Sequence, residues 1–431
     1  YLPGRGVVTQ EEMAGRCAPA SPVVPIVFYR SMLLAADTAP VDTLCAALGE
    51  HGIAAVPIFV SSLKEISVAR FVEDAYAAFP VSALVATTAF SAGADDIGRT
   101  LFDRIGVPVF QAVMATTRRA AWEGGDRGLT PADLAMHVVL PELDGRILAG
   151  AISFKAEDDT AGAGGFRRQV NRPEPDRVEQ VAARIAALIA LKNMPVEDRR
   201  ITILIPDYPS APGRSGYAVG LDVSGSVLAI MQDMRESGYH VDGIPETSKA
   251  LMDRLEAAAP ALPAGRYAAA FRRLPDGARR RIEAAWGAAG RAGPFAFRAA
   301  HFGNITVALA PDRGRSEDRR ADYHDPALPP RHELVAFGLW MREHLGCHAI
   351  VHVGAHGTLE WLPGKTVALS ENCFPEIVTG ALPVVYPFIV SNPGEAAQAK
   401  RRIAALTLSH LPPPLAAAGT DDAHTALERL V

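Results

Sequence analysis

The stretch VPIVFYRSMLLAADTAPVDTLCAALGEHGIAAVPIF, residues 24–59, decides the fold class. Its two ends, Val24 to Phe28 and Ala54 to Phe59, are short and apolar, the composition of strands buried on both faces. Between them, Val41 to Gly49 has a helical pattern. Strand, helix and strand in that order form a βαβ unit, and such a crossover joins parallel strands.

The pattern continues outward. Ala83 to Ala86 and Val107 to Gln111 read as further buried strands, with a helical segment at Ala69 to Ala78. A long helix is expected over Pro175 to Leu191, ending near Asn193 before Pro195 breaks the pattern. A second α/β block then opens: a strand over Arg200 to Pro206, a Gly/Pro/Ser loop, and a helix from about Ser224 to Ser237 capped by Ser224 or Ser226. The expected fold is therefore α/β, with two or more Rossmann-like or flavodoxin-like lobes built on mostly parallel sheets. The N-terminal lobe is placed at 1–197 and the C-terminal lobe at 198–431. Within the latter, the Ala/Arg-rich segment at about 257–292 is interrupted by Pro and Gly and predicts a small helical insertion. The charged, proline-containing stretch 311–330 reads as a loop leading into a helix over Arg331 to His344, followed by a strand over Ala349 to Val353.

Composition excludes several function classes. A net charge of -5, from 43 basic and 48 acidic residues, gives no field of one sign that would attract nucleic acid or an anionic membrane. Cys17, Cys45, Cys347 and Cys373 form no C-x-x-C pair, so neither a zinc knuckle nor a disulfide framework is expected. No run of 18 apolar residues or signal-peptide profile occurs, which predicts a cytoplasmic protein without a membrane span. The chain begins at Tyr1 without Met and is expected to be a piece of a longer protein.

Chemistry concentrates near the C-terminal third. Six of twelve histidines, His324, His332, His344, His348, His352 and His356, fall within 33 residues. Within HVGAHGTLEWLPGKT, residues 352–366, Gly354 and Gly357 permit a tight turn from strand to helix. A helical turn after it would set His356 and Glu360 four apart on one face. Imidazole and carboxylate together suit Co2+, Zn2+, Ni2+ or Fe2+, and the carboxylate can also accept a proton. The alternative is that the pair merely caps a buried turn. GKT at 364–366 is not a P-loop, because the glycine required at 359 is Leu359. A second glycine-rich loop, residues 209–226, precedes a helix; there Gly213, Arg214 and Gly216 are candidates to hold a carboxylate, or form a plain turn. NPGEAAQAKRR, residues 392–402, reads as a helix start with Pro393 at its first position and a basic tail.

Three of these segments, HVGAHGTLEWLPGKTVALS, LPVVYPFIVSNPGEAAQAKRR and DYHDPALPPRHELVAFGLWM, together resemble the common core of cobaltochelatase large subunits and their magnesium chelatase relatives. The likeness extends through FYRSMLLAADTAPVDTLCAALGEHGIAAVPIFVSSLKE and MATTRRAAWEGGDRGLTPADLAMHVVLPELDGRI, so it spans nearly the whole chain. Glu360-Trp361-Leu362-Pro363, Pro393-Gly394-Glu395, Gln398 and Ala355 look cobalt-type; magnesium-type members tend toward Phe-Met before the Pro-Gly, Ser for Gly394 and Thr for Ala355. The resemblance implies insertion of Co2+, as substrate, into hydrogenobyrinic acid a,c-diamide for cobalamin synthesis. It also implies that ATP and Mg2+ act on partners, an AAA+ ATPase subunit and its companion, rather than on this chain. Glu360 falls on the family's active-site glutamate, with His356 beside it. His352 and His332 are further metal candidates, and His332, His324 and Trp361 further corrin contacts. A magnesium-protoporphyrin chelatase large subunit, or a noncatalytic tetrapyrrole or metal carrier, are the alternatives.

Overall fold

The computed structural model describes residues 1–18, 21–93, 99–158, 167–205, 216, 221–257, 259–314, 322, 325–354, 358–389 and 393–410. The first lobe contains strands β1 (Val23–Tyr29), β2 (Ala54–Val60), β3 (Leu84–Ala86), β4 (Val109–Arg118), β5 (Ile147–Glu157) and β6 (Gln169–Pro173). They lie in the order β2-β1-β3-β4-β5-β6, parallel except for β6, which runs antiparallel to β5. Helix α1 (Ala39–Glu50) makes the first crossover; α2 (Arg119–Gly124) follows β4, and α3 (Pro175–Asn193) follows β6. Val178, Val181, Ile185 and Ile189, spaced three or four apart on α3, pack with Leu44 and Leu48 of α1 over Val24, Ile26 and Phe28 of β1. Each such buried side chain contributes roughly 1.5–3 kcal/mol, and this face accounts for the continuous apolar strands seen in the sequence.

The second lobe repeats the plan. Its strands are β7 (Ile201–Ile205), β8 (Ala261–Leu262), β9 (Phe295–Ala296), β10 (Ala299–Phe302), β11 (Ile305–Leu309), β12 (Ala349–His352), β13 (Val384–Ile389) and β14 (Leu406–His410). Its helices include α4 (Val223–Glu236), α5 (Ser248–Ala257), α6 (Ala264–Phe271), α7 (Asp276–Trp286), α8 (His332–Leu339), α9 (Phe374–Thr379) and α10 (Pro393–Arg402). The main sheet has the order β10-β11-β7-β12-β13-β14, with only β10 antiparallel, while β8 and β9 form a separate two-stranded ribbon. Strand alternation distributes Ile203 and Ile205 to the α4 and α5 face, and Leu204 to the opposite face with Val335, Trp340 and Phe374. The helical insertion is present as α6 and α7.

Numbered within each lobe, both parallel sheets follow the flavodoxin-like order 2-1-3-4-5. In such a sheet the chain leaves the first strand to one side and returns on the other, which opens a crevice beyond the strands' carboxyl ends. In the second lobe that switch lies between β7 and β12, directly before the segment that carries Glu360. Among the described residues no helix is long and apolar enough to cross a membrane.

Two local expectations are corrected. The cap of α4 is Asp222, whose carboxylate accepts the Gly225 N–H at 2.9 Å, rather than Ser224 or Ser226. Strand β4 starts at Val109 and runs to Arg118, beyond the apolar stretch that marked it, because Thr116 and Thr117 are held there by Asp133, whose carboxylate accepts both their amides and both hydroxyls.

Candidate active site

The site is built from the end of β12. His352, its last residue, is completely buried against the Tyr386 ring of β13, with 5.0 Å between ring centroids. Neither imidazole nitrogen has a hydrogen-bond partner among the described residues. Burial pushes its pKa down to about 4, since a charged ring could not be solvated there. The imidazole is therefore neutral at physiological pH, the form that binds metal ions.

Beyond this strand, a 3-10 turn forms at Leu359–Trp361. Glu360 in this turn is fully buried. A buried carboxylate needs compensation for lost hydration. Arg402, the last residue of α10 and itself buried, supplies it: its guanidinium interacts electrostatically with Glu360 and donates from Nη1 to the Glu360 carbonyl. From Nε it also reaches the Lys365 carbonyl at 3.1 Å. Burial lowers the Arg402 pKa, opposed by the charges of Cys373 and Glu360.

The rest of the turn is held as firmly. Trp361 Nε1 donates to Glu395 Oε2 at 2.6 Å, and the Trp361 carbonyl accepts from Arg313 at 3.2 Å. A Cβ on Gly364 would lie 2.7 Å from the Cys373 Cβ, so a larger residue would push the turn off α9. The GKT lysine does not face a nucleotide site. Lys365 is buried, and its ammonium donates to the Trp122, Glu123 and Gly125 carbonyls at the end of α2 in the first lobe. The segment is thus a lobe-to-lobe staple, reinforced by Trp122 Nε1 to the Ala368 carbonyl at 2.7 Å and by Arg177 to Glu376 at 2.8 Å.

The remaining sequence candidates separate. His332 starts α8, where Nε2 lies 2.9 Å from the Gly287 carbonyl and Nδ1 2.5 Å from the Tyr267 hydroxyl. A carbonyl only accepts, so Nε2 carries the proton and Nδ1 accepts from tyrosine. Both nitrogens are committed to joining the helical insertion to α8. Gly216 has φ +70 and sits against the end of β7, where a Cβ would approach Ile205 Cγ2 to 3.0 Å. His356, Gly213, Arg214 and His324 lie outside the described residues. Among the described residues no three His, Cys, Asp or Glu side chains converge as a metal-binding group.

Sequence reasoning treated Glu395 and Arg402 as helix-end charges. They are seven apart, two helical turns, and so share one face of α10, a spacing that relates the two without showing which way that face points. That face meets the 359–365 turn at both ends.

The CobN/Magnesium Chelatase family model matches residues 6–431. The chain belongs to the CobN/magnesium chelatase family. It is 36% identical to a protein named "Aerobic cobaltochelatase subunit CobN" from Sinorhizobium sp, with 100% of this chain covering 36% of that one. It is 30% identical to a magnesium-chelatase subunit from Rhodobacter capsulatus, with 93% of this chain covering 36% of the relative. A solved structure, "Catalytic Subunit of Cobaltochelatase from Mycobacterium tuberculosis", superimposes with a TM-score of 0.83 at 32% identity, over 95% of this chain and 37% of that one. The chain thus spans little more than a third of the length of these relatives.

Proposed function

We propose that this chain forms part of the tetrapyrrole- and metal-binding catalytic subunit of a cytoplasmic, ATP-dependent cobaltochelatase. Its substrates are Co2+ and hydrogenobyrinic acid a,c-diamide. The observation that carries the reading is Glu360, a carboxylate held beside Arg402 in a rigid turn at the strand-end switch of the second sheet. Metal insertion removes two pyrrolic protons from the ring and water from the ion. A fixed carboxylate accepts protons, and a neutral imidazole offers a lone pair. Glu360 is assigned the first role, and His356 and the buried, neutral His352 are assigned the second, as metal contacts. Trp361, His324 and the Gly213–Arg214–Gly216 loop are assigned to the corrin and its carboxylates.

ATP hydrolysis is assigned to an AAA+ partner subunit and its companion, which is in keeping with Lys365 being committed to main-chain carbonyls. Cobalt is favoured over magnesium by the higher identity to the cobaltochelatase relative and by Trp361, whose indole N–H makes a contact that phenylalanine could not. Titrating corrin and protoporphyrin against the full-length subunit separates the two readings: tighter corrin binding is expected, and preference for the porphyrin would transfer the assignment to magnesium. The central test is Glu360→Gln in the full-length subunit with its motor partners. Cobalt insertion should be abolished while corrin binding persists; unchanged turnover would discard the role given to Glu360.

A further inference from the structure

We propose that Arg402 is a positioning residue for Glu360, and that α10 acts as a two-point clamp on the turn bearing it. This rests on the functional reading of Glu360 and extends it to a residue outside the HGTLEW motif.

The geometry is specific. Arg402 is 7% exposed, and its fork spans two carbonyls on the turn, Glu360 with Nη1 and Lys365 with Nε. Those carbonyls bracket Trp361-Leu362-Pro363-Gly364, so one side chain fixes the separation of the two ends of the loop. Two helical turns earlier, Glu395 takes the Trp361 indole N–H at 2.6 Å. The Trp361 carbonyl is pinned separately by Arg313, which is anchored to the Leu328 carbonyl at 3.3 Å. The loop therefore cannot rotate the Glu360 backbone without breaking contacts to α10.

A helix-end arginine that only complemented the dipole would be solvated and would point to the last carbonyls of its own helix. Arg402 is instead turned into the protein and donates to a different segment. Its neighbour Arg401 faces the first lobe and pairs with Glu142 at 2.8 Å. Adjacent arginines thus divide two tasks, one holding the lobes together and one holding the turn. The planar guanidinium matters for the second task, because a lysine ammonium at the same place could not bridge both carbonyls with the same fixed geometry.

The test uses the full-length subunit with its motor partners and compares Arg402→Met, Arg402→Lys and Glu360→Gln. Arg402→Met should lower kcat for cobalt insertion about 100-fold, the scale of a displaced reacting group, with KM for the corrin within about threefold of wild type. Arg402→Lys should recover part of the loss, leaving it about tenfold. Hydrogen exchange of amides 359–366 should accelerate in Arg402→Met without acceleration in the first-lobe strands. If Arg402→Met turns over within about threefold of wild type while Glu360→Gln is inactive, the positioning role is wrong and the role of Glu360 stands. If Arg402→Met lowers corrin affinity, melting temperature and kcat together, with no recovery in Arg402→Lys, Arg402 is merely structural and the proposal fails. If Glu360→Gln is fully active, the functional reading fails, and exchange at 359–366 alone decides the clamp: unchanged rates would overturn it.

Discussion

The Lys365 ammonium lies 2.6 Å from the Gly125 carbonyl, so a residue of the GKT segment in the second lobe ends the α2 helix of the first. The same ammonium stands 5.3 Å from the Trp122 ring centroid, and Trp122 returns its indole N–H to Ala368. The approach of the two segments is so close that a Cβ on Gly128, at φ +87, would fall 1.9 Å from the Val367 carbonyl oxygen. The turn that carries Glu360 is thereby fixed to both lobes.

Replacing Lys365 by Met keeps most of the aliphatic stem but leaves these carbonyls without their donor. Hydrogen bonds from a charged donor contribute about 1.5–3 kcal/mol each, and they are not additive here because they share one nitrogen. Lys365→Met should therefore destabilise the protein by roughly 3 kcal/mol in urea titration. Adding ATP and Mg2+ to this chain should leave the melting temperature of the wild type unchanged. A nucleotide-dependent rise that Lys365→Met removes would instead mean that GKT binds phosphate.

The architecture was legible where a strand is apolar along its whole length. Val24–Phe28 and Ala54–Phe59 announced a parallel sheet because no polar residue was needed to mark a solvent face, and the sheets and the insertion helices α6 and α7 are present. Strand β6, QVNRP, escaped notice because it is polar and only half-buried and therefore carries no apolar signature. At the site, family resemblance singled out Glu360, while the turn read from the Gly354 and Gly357 spacing runs through residues outside those described. Arg402 was missed because its function depends on which way an end-of-helix arginine points, and composition treats an inward guanidinium and a solvated one alike. The surroundings of His332 were hidden for the complementary reason: Tyr267 and Gly287, which meet its nitrogens, come from a distant part of the chain.

The Trp361–Glu395 bond predicts a coupled pair of variants. Trp361→Phe preserves the ring but removes the N–H that reaches Glu395. Trp361 is 39% exposed, so the loss in global stability should be small, below about 1 kcal/mol. Cobalt insertion in the full-length subunit should fall about tenfold, corresponding to about 1.4 kcal/mol of lost restraint. Glu395→Ala should behave the same way, and the double variant should be no worse than either single one, since both remove one contact. Additive losses would show that the two residues act independently.

His352 predicts a pH dependence of stability whose sign follows from its environment. Its folded pKa, about 4, lies below the ordinary value of 6.5, so between these values the unfolded chain binds a proton that the folded protein does not. Stability must therefore rise with pH across this window and be lost as pH falls from about 6.5 toward about 4, with a contribution on the order of 3 kcal/mol. Urea titrations of wild type and His352→Leu in metal-free buffer should diverge in this interval and run parallel above it. Near pH 7 the variant should be as stable as wild type or more so, because it removes two buried nitrogens that have no partner among the described residues. If the two pH profiles remain parallel from pH 4 to 7, His352 is solvated or paired in solution and is not the neutral metal contact assigned to it.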